Sequence, residues 1–237
     1  MIEPKIVHTI SRVPQDLVEQ FRSLSSATVY EASGGHGALS SRIKPIDCKM
    51  KVCGTAVTVQ VRPGDNLMLH KAIYVAREGD VIVADAQGFA EAGAWGEVMA
   101  VAAQSRGLGG LVFNGAVRDT AEITGLGFPV FSVSVCIKGT QKVSPGLINH
   151  PLVLDGVVIN PGDLVLGDRD GVVIVAREDA QEVLEKARAR ESKELEVMKR
   201  LRAGESTLDI FGLGRALGQM EITEEKPDPA ANGGARR

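Results

Sequence analysis

Four residues in the middle of this chain have the types and spacing to do chemistry. Glu97 is followed, after twenty intervening residues, by Arg118-Asp119-Thr120-Ala121-Glu122. They lie in GAWGEVMAVAAQSRGLGGLVFNGAVRDTAEITGLGFPVFS, where the apolar pattern predicts helix, buried strand, tight polar turn and second strand. Such an order brings a helix-start carboxylate and a strand-end Arg-Asp pair to one place. A fixed cation beside carboxylates suits a divalent metal and an anionic substrate, because hard cations take oxygen ligands and guanidinium forks take carboxylates. Plainer readings stand beside this one. Arg118-Asp119 could be a turn salt bridge, Glu97 an acid favoured at a helix start, and Glu122 a solvent-facing charge.

The elements that must position these groups are legible on either side. Leu17, Val18, Phe21 and Leu24 recur at helical spacing behind Pro14, which suits a first turn. Ser26-Ala27-Thr28 caps a second short helix that ends at Gly34-Gly35. Residues 50–62 alternate and are rich in Val and Thr, which predicts a strand. Pro63-Gly64-Asp65-Asn66 is a turn or helix start, with a helix from Leu67 to Ala76. Gly79-Asp80 leads into VIVADA, a buried strand. Ala92 to Ser105 is expected as one helix of small residues, LGGLVFNG as a buried strand, Ala121 to Gly125 as a helical turn, and PVFSVSV as a strand.

Residues 152–176 change character, with Asp-Gly and Pro-Gly-Asp turns dividing short strands. Asp179 to Arg202 is a long helix with a solvated face of Glu182, Glu185, Lys186, Arg188 and Arg190. The class is α/β, or α+β with a mixed sheet. No linker or internal repeat is visible, so residues 1–222 are expected to form one domain. Residues 223–237, polar and rich in Pro and Gly, are expected to be a disordered tail.

The bulk composition narrows the function classes. Net charge is −3 over 237 residues, so no nucleic-acid partner is expected. No apolar stretch approaches the roughly 18 residues a membrane span needs. With no cleavable leader visible at the start, the expected location is cytoplasmic. Cys48, Cys53 and Cys136 have neither even count nor metal-ligand spacing, and are expected to be small core residues. His8, His36 and His150 also lack ligand spacing, while His70 on a helix is a possible site residue or a packing histidine. Lys71 and Lys138 could form Schiff bases, but nothing in their surroundings marks either. The glycine clusters at 107–110 and 125–127 are not dinucleotide fingerprints. Neither nucleotide, pyridoxal phosphate nor S-adenosylmethionine is expected as cofactor.

Taken together, GEVMAVAAQSRGLGGLVFNGAVRDTAEI, SATVYEASGGHGAL, PGDNLMLHKAI and PGDLVLGDRDGVVIV resemble a known family. It comprises the metal-dependent 4-hydroxy-4-methyl-2-oxoglutarate / 4-carboxy-4-hydroxy-2-oxoadipate aldolases, grouped with the regulators of ribonuclease activity A. The resemblance covers roughly residues 15–215, including a C-terminal helix that the shorter regulator proteins lack. It implies a mixed-sheet α/β sandwich like the swivelling phosphohistidine domains. It also implies homotrimers or homohexamers with active sites at subunit interfaces.

The implied cofactor is Mg²⁺ or Mn²⁺, and the implied substrate is a small 2-oxo dicarboxylate or tricarboxylate cleaved to pyruvate. Oxaloacetate decarboxylation is implied as a second activity. By resemblance, Asp119 is the metal-binding aspartate and Arg118 contacts the substrate's keto or carboxylate oxygen. Glu97 falls where many members have an aspartate held near the metal through water. Glu194 falls at a glutamate donated by a neighbouring subunit, and Glu122 completes the R-D-x-x-E pattern. Glu97 and Glu194 are the expected proton relays for the 4-hydroxyl. The amides of Gly96, Glu97, Val98 and Met99, at a helix start, are expected to bind the pyruvate carboxylate. The alternatives are a non-catalytic regulator that binds a ribonuclease, or a lyase of this fold acting on another 2-oxo acid.

Overall fold

The computed structural model describes residues 3–223. The chain divides into two compact units, one ending at Arg190 and the other beginning at Glu191. The elements run β1 (Lys5–Ile6), α1 (Gln15–Phe21), α2 (Ser26–Ala32), β2 (Lys44–Pro45), β3 (Val52–Gln60), α3 (Leu67–Val75), β4 (Asp80–Trp95) and α4 (Glu97–Gln104). They continue with β5 (Gly110–Val117), α5 (Thr120–Leu126), β6 (Val130–Val135), β7 (Leu147–Ile148), β8 (Leu152–Leu154), β9 (Val157–Ile159), β10 (Leu164–Gly167) and β11 (Val172–Val175). Last come α6 (Ala180–Arg202), α7 (Thr207–Ile210) and α8 (Gly214–Leu217).

The heart of the first unit is β3-α3-β4-α4-β5-α5-β6, whose four strands are parallel neighbours in sequence order. Antiparallel strands complete the sheet. β10 and β7 share the far edge of β3, and β2 pairs with β6. The fold is therefore mixed α/β. The parallel strands read as near-continuous apolar runs because both faces are covered. On one side, Leu69 and Ile73 of α3, Ala100 and Ala103 of α4 and Ile123 of α5 join the sheet core. A second core packs Leu17 and Phe21 of α1, Val29 of α2 and Val183 and Leu184 of α6 against Cys53, Leu164 and Val173.

Parallel strands joined by helical crossovers end on the same edge, and crevices form there. The β4–α4 and β5–α5 connections thus lie side by side, which brings Gly96 next to Arg118 and Asp119. The predicted helix from Ala92 is corrected here. Residues 92–95 continue β4, with Gly93 opposite Ala116 and Trp95 opposite Val117. Three register shifts between Asp85 and Trp95 break the two-residue alternation, so small buried residues imitate helical text. The two-residue strands β1, β2 and β7 were not foreseen, since so short a stretch carries no periodicity.

The cysteines are also corrected. Cys48 is exposed and Cys136 half-buried, leaving Cys53 as the core residue. Burial pushes the Cys53 thiol up to about 12, so it is a packing group at neutral pH.

The second unit carries the later turns of α6, then α7 and α8. Ser206 caps α7 by accepting from the Asp209 amide, and Arg200 forks onto Glu205. Leu195, Leu208, Phe211 and Met220 are exposed. No helix among the described residues is long and apolar enough to cross a membrane. Except for Thr223, the expected tail lies outside the described residues.

Candidate functional site

Arg118 and Asp119 leave the end of β5, where the chain turns sharply into α5. Asp119 makes that turn in the left-handed region, at φ 54° and ψ 41°. A non-glycine residue there is strained, and such strain persists where the surroundings fix it. The fixing contacts come from the neighbouring strand. The Glu97 amide donates to Asp119 Oδ2 at 3.1 Å, and Arg118 Nε lies 3.5 Å from the same oxygen. The Arg118 amide donates to the Trp95 carbonyl at 2.8 Å. Asp119 Oδ1 and the terminal nitrogens of Arg118 have no partner among the described residues.

Close approach across the strands requires glycines. A Cβ on Gly96 would fall 2.4 Å from Asp119 Oδ2 and 3.1 Å from Arg118 Nε. A Cβ on Gly93 would fall 2.9 Å from Arg118 Cβ and 2.2 Å from the Cys136 carbonyl oxygen.

These groups open onto a cavity of about 280 Å³. Its β4–α4 wall is Gly93, Gly96, Val98 and Met99, and its β5 wall is Arg118 and Asp119. Asn66 and His70 contribute from α3, and Thr140 and Lys142 from the loop after β6. Asn66 is buried. Its Nδ2 donates to the Ala94 carbonyl at 3.0 Å, while its Oδ1 has no partner. Burial, and then the charge of Lys142, hold the His70 pKa below its ordinary 6.5. His70 and Lys142 both line the cavity, and His70 is neutral at pH 7. Lys142 has no carboxylate partner among the described residues.

The α4 amides are not all available. Glu97 donates to Asp119, and the Met99 amide donates to the Gly96 carbonyl at 3.1 Å. The Val98 amide keeps no acceptor among the described residues, which makes it the free donor of this helix start. Glu97 reaches the site through its backbone; its side chain is exposed and does not line the cavity. Glu122 is exposed on the first turn of α5, away from the cavity walls. Glu194 is half-buried on α6 and belongs to the second unit. Lys138 is ion-paired with Glu91. The hydrogen bond to Glu91, then its charge, raise the Lys138 pKa. It therefore stays protonated, the wrong state for a Schiff-base nucleophile. Lys71 is exposed.

Sequence reasoning missed Asn66 and Lys142. Asn66 had a weak signal, as a polar residue at a helix start behind Pro-Gly-Asp. Lys142 had none, since it is one polar residue in a polar loop.

No group of three or more His, Cys, Asp or Glu side chains able to hold a metal occurs among the described residues. Among the described residues Asp119 Oδ1 is the unspent carboxylate oxygen beside the cavity, and Asn66 Oδ1 is an unspent amide oxygen there. That sparse set still fits a Mg²⁺-type ion, which keeps several waters and binds through one or two carboxylates plus substrate oxygens.

A mixed sheet carrying an Arg-Asp pair against a glycine-opened helix start defines a class, and comparison with known proteins identifies it. The family model described as RraA-like, Aldolase/RraA, matches residues 23–174. The chain belongs to this family. Among its relatives, a Halalkalibacterium halodurans protein provisionally named 4-hydroxy-4-methyl-2-oxoglutarate aldolase is 38% identical over 183 residues, covering 77% of this chain and 87% of that protein. A solved Pseudomonas syringae structure, described as uncharacterized, superposes with TM-score 0.75 at 28% identity, covering 83% of this chain and 97% of that one. The Thermus structure described as the RNA-processing inhibitor RraA superposes with TM-score 0.59 at 26% identity, covering 63% and 91%. At family level this chain is thus related to a lyase and to an RNA-processing inhibitor.

Proposed function

We propose that this protein is a divalent-metal-dependent pyruvate aldolase that cleaves a 4-hydroxy-2-oxo acid and also decarboxylates oxaloacetate. The 4-hydroxy-4-methyl-2-oxoglutarate and 4-carboxy-4-hydroxy-2-oxoadipate types are the favoured substrates. The observation that carries this reading is the unspent chemistry of the 280 Å³ cavity. Its lining offers the free Arg118 fork, the strained, half-used Asp119 and Lys142. Two cationic residues lining one small, largely apolar space suit an acid with a carboxylate at each end.

Retro-aldol cleavage breaks the C3–C4 bond. The 4-hydroxyl loses its proton and becomes the carbonyl of the departing fragment. The electron pair of the broken bond passes to C3 and develops as enolate charge on the 2-keto oxygen. Arg118 donates to that oxygen, and the donation strengthens as the charge grows. The Val98 amide and the α4 N-terminus hold the adjacent carboxylate. Lys142 holds the distal carboxylate. A bound divalent ion, held by Asp119, would supply Lewis-acid stabilisation of the same keto oxygen and carboxylate. A water relayed by Glu194 of a neighbouring subunit takes the hydroxyl proton, because the exposed Glu97 side chain does not line the cavity. Decarboxylation of oxaloacetate leaves the same enolate, so one site serves both reactions. In this reading the working form is a homotrimer or homohexamer, because the described chain brings no second carboxylate side chain into the cavity walls.

The test is pyruvate release from oxaloacetate and from 4-carboxy-4-hydroxy-2-oxoadipate, each with Mg²⁺, with Mn²⁺ and with excess chelator. Chelator-sensitive release above the metal-only background is expected. No release from folded, metal-loaded protein would overturn the aldolase. The likeness to the Thermus RNA-processing inhibitor favours a second reading, a non-catalytic regulator that binds a ribonuclease. Cleavage of neither acid but of a different 2-oxo acid would instead mark a lyase of the same fold.

A further inference from the structure

Asp65 takes no part in the chemistry above, yet its carboxylate is the most heavily bonded one beside the cavity. It is 3% exposed. Its Oδ1 accepts from the Leu67 amide at 2.8 Å. Its Oδ2 accepts from the amides of Val143 at 2.8 Å and Ser144 at 2.9 Å. Burial alone would raise its pKa, but these backbone donors and the Ser144 side chain outweigh burial and hold it below the ordinary 3.8. The residue is therefore a buried anion at neutral pH, satisfied by charge-assisted bonds.

Those bonds join two walls of the cavity. The Gln141 amide donates to the Gly64 carbonyl at 2.8 Å, and the Asn66 amide donates to the Gln141 carbonyl at 3.0 Å. Adding the Val143 and Ser144 amides, four hydrogen bonds lace the turn at 64–66 to the strip at 141–144. Lys142 sits inside that laced strip, and Asn66 and His70 follow directly from the laced turn. Before the strip, the loop is tied at Lys138, whose carbonyl accepts from the Gly93 amide at 2.9 Å. Between these ties Gly139 has open space around its Cβ position. The placement of Lys142 therefore rests on these four bonds: two backbone bonds hold Gln141 before it, and the Asp65 carboxylate holds Val143 and Ser144 after it.

We propose that Asp65 is a positioning residue: its buried carboxylate fixes Lys142, and with it the distance between the cationic ends of the cavity, Lys142 and Arg118. This rests on the reading of Lys142 as the holder of the distal carboxylate. A two-ended acid is recognised by length, and a flexible lysine measures length only when its backbone is pinned. The device costs the site nothing in access, since Asp65 points its charge at amides and leaves the ammonium group free.

The experiment is steady-state kinetics of the full chain with 4-hydroxy-4-methyl-2-oxoglutarate and Mg²⁺, because its distal carboxylate is kept through the bond cleavage. Asp65→Asn keeps the shape but offers one acceptor oxygen where three donors need two. KM is expected to rise about tenfold, with kcat changed less than about threefold. In a Lys142→Ala background the same substitution is expected to add less than about twofold to KM, because the group it positions is gone. Asp65→Glu keeps the charge but carries it one methylene further, out of register with the Leu67, Val143 and Ser144 amides. The same KM rise is expected there, which keeps the test decisive if Asp65→Asn fails to fold.

A lowered Tm with unchanged KM would reduce Asp65 to a structural residue and overturn the proposal. So would a KM penalty that multiplies in full on Lys142→Ala. Absence of metal-dependent release by the unsubstituted protein is a different failure: it sinks the aldolase reading first and this inference with it.

Discussion

Two concavities among the described residues are of very different kinds. The larger, about 750 Å³, lies between the glycine turn after α2, the β8–β9 hairpin and the start of α6. The smaller, about 280 Å³, lies over Arg118 and Asp119. The large groove has spent its buried carboxylate and its ion pair. Asp163 accepts from the amides of Asn160 and Arg177, and Glu182 is paired with Lys186 at 2.6 Å. The small cavity holds its chemistry in reserve: the Arg118 fork, Lys142, Asp119 Oδ1, the Val98 amide and a buried, unpaired Asn66 Oδ1. An unpaired buried polar group is costly, and of these Asn66 Oδ1 is the buried one; the others are exposed and free to take up a ligand. Unspent hydrogen-bonding capacity therefore marks the site here, and volume does not.

The sharpest way to break this comparison is to remove the reserve. Asp119→Ala is expected to reduce metal-dependent turnover to background while the fold survives. Asp119→Gly is expected to be equally inactive but more stable, since it relieves a left-handed non-glycine residue; Tm should rise by about 2–4 °C. Turnover retained in either variant would remove Asp119 from the site.

Next in size is Arg118→Lys, expected to lose about 10²-fold in kcat because a point charge cannot copy a planar fork. Near-normal kcat would refute the role given to the guanidinium.

A paired experiment then sets one cavity against the other. Gly96→Ala pushes a methyl against Asp119 and Arg118 and is expected to cost about 10–10²-fold in turnover. Glu182→Gln in the large groove breaks an exposed ion pair and is expected to change turnover less than about twofold. The reverse ranking would place the active site in the groove.

The two regions also answer acid differently. Asp65, beside the small cavity, has a depressed pKa. Its stabilisation is fully present above the ordinary 3.8 and is lost as pH falls through the lower folded value. Asp163, in the large groove, has a raised pKa, first from burial and only partly offset by its two amide donors. Its ionised form costs stability at neutral pH, and that cost disappears as pH falls through the raised value toward 3.8. Melting curves across this range should therefore show Asp65→Asn flattening the loss of Tm below about pH 4. Asp163→Asn should remove the gain above it. Identical acid limbs in both variants would contradict these assignments.

The smallest effect is local. Lys142→Ala is expected to move the His70 pKa upward toward 6.5, as read by NMR titration of its ring, because one of the two causes of its depression is removed. An unmoved His70 would separate the two residues.

Part of this was legible in the sequence and part was not. Leu17, Val18 and Phe21 face one core because their spacing permits nothing else, and the Val-rich runs of β3 to β6 declare buried strands. Arg118-Asp119 at the end of such a run could be recognised as chemistry before any fold was known. These features come from local periodicity and residue type, which the chain carries in itself. The tertiary structure decided the rest. The bulged end of β4 hid a strand inside helix-like text, because register with β5 is a non-local property. Asn66 and Lys142 line one cavity across 76 positions of sequence because four hydrogen bonds, two of them to Asp65, tie their segments together. Which amide of α4 stays free was settled by Asp119 reaching across from the next strand. Spacing along a chain fixes which face a side chain takes; hydrogen bonds between distant segments fix what that side chain still has left to offer.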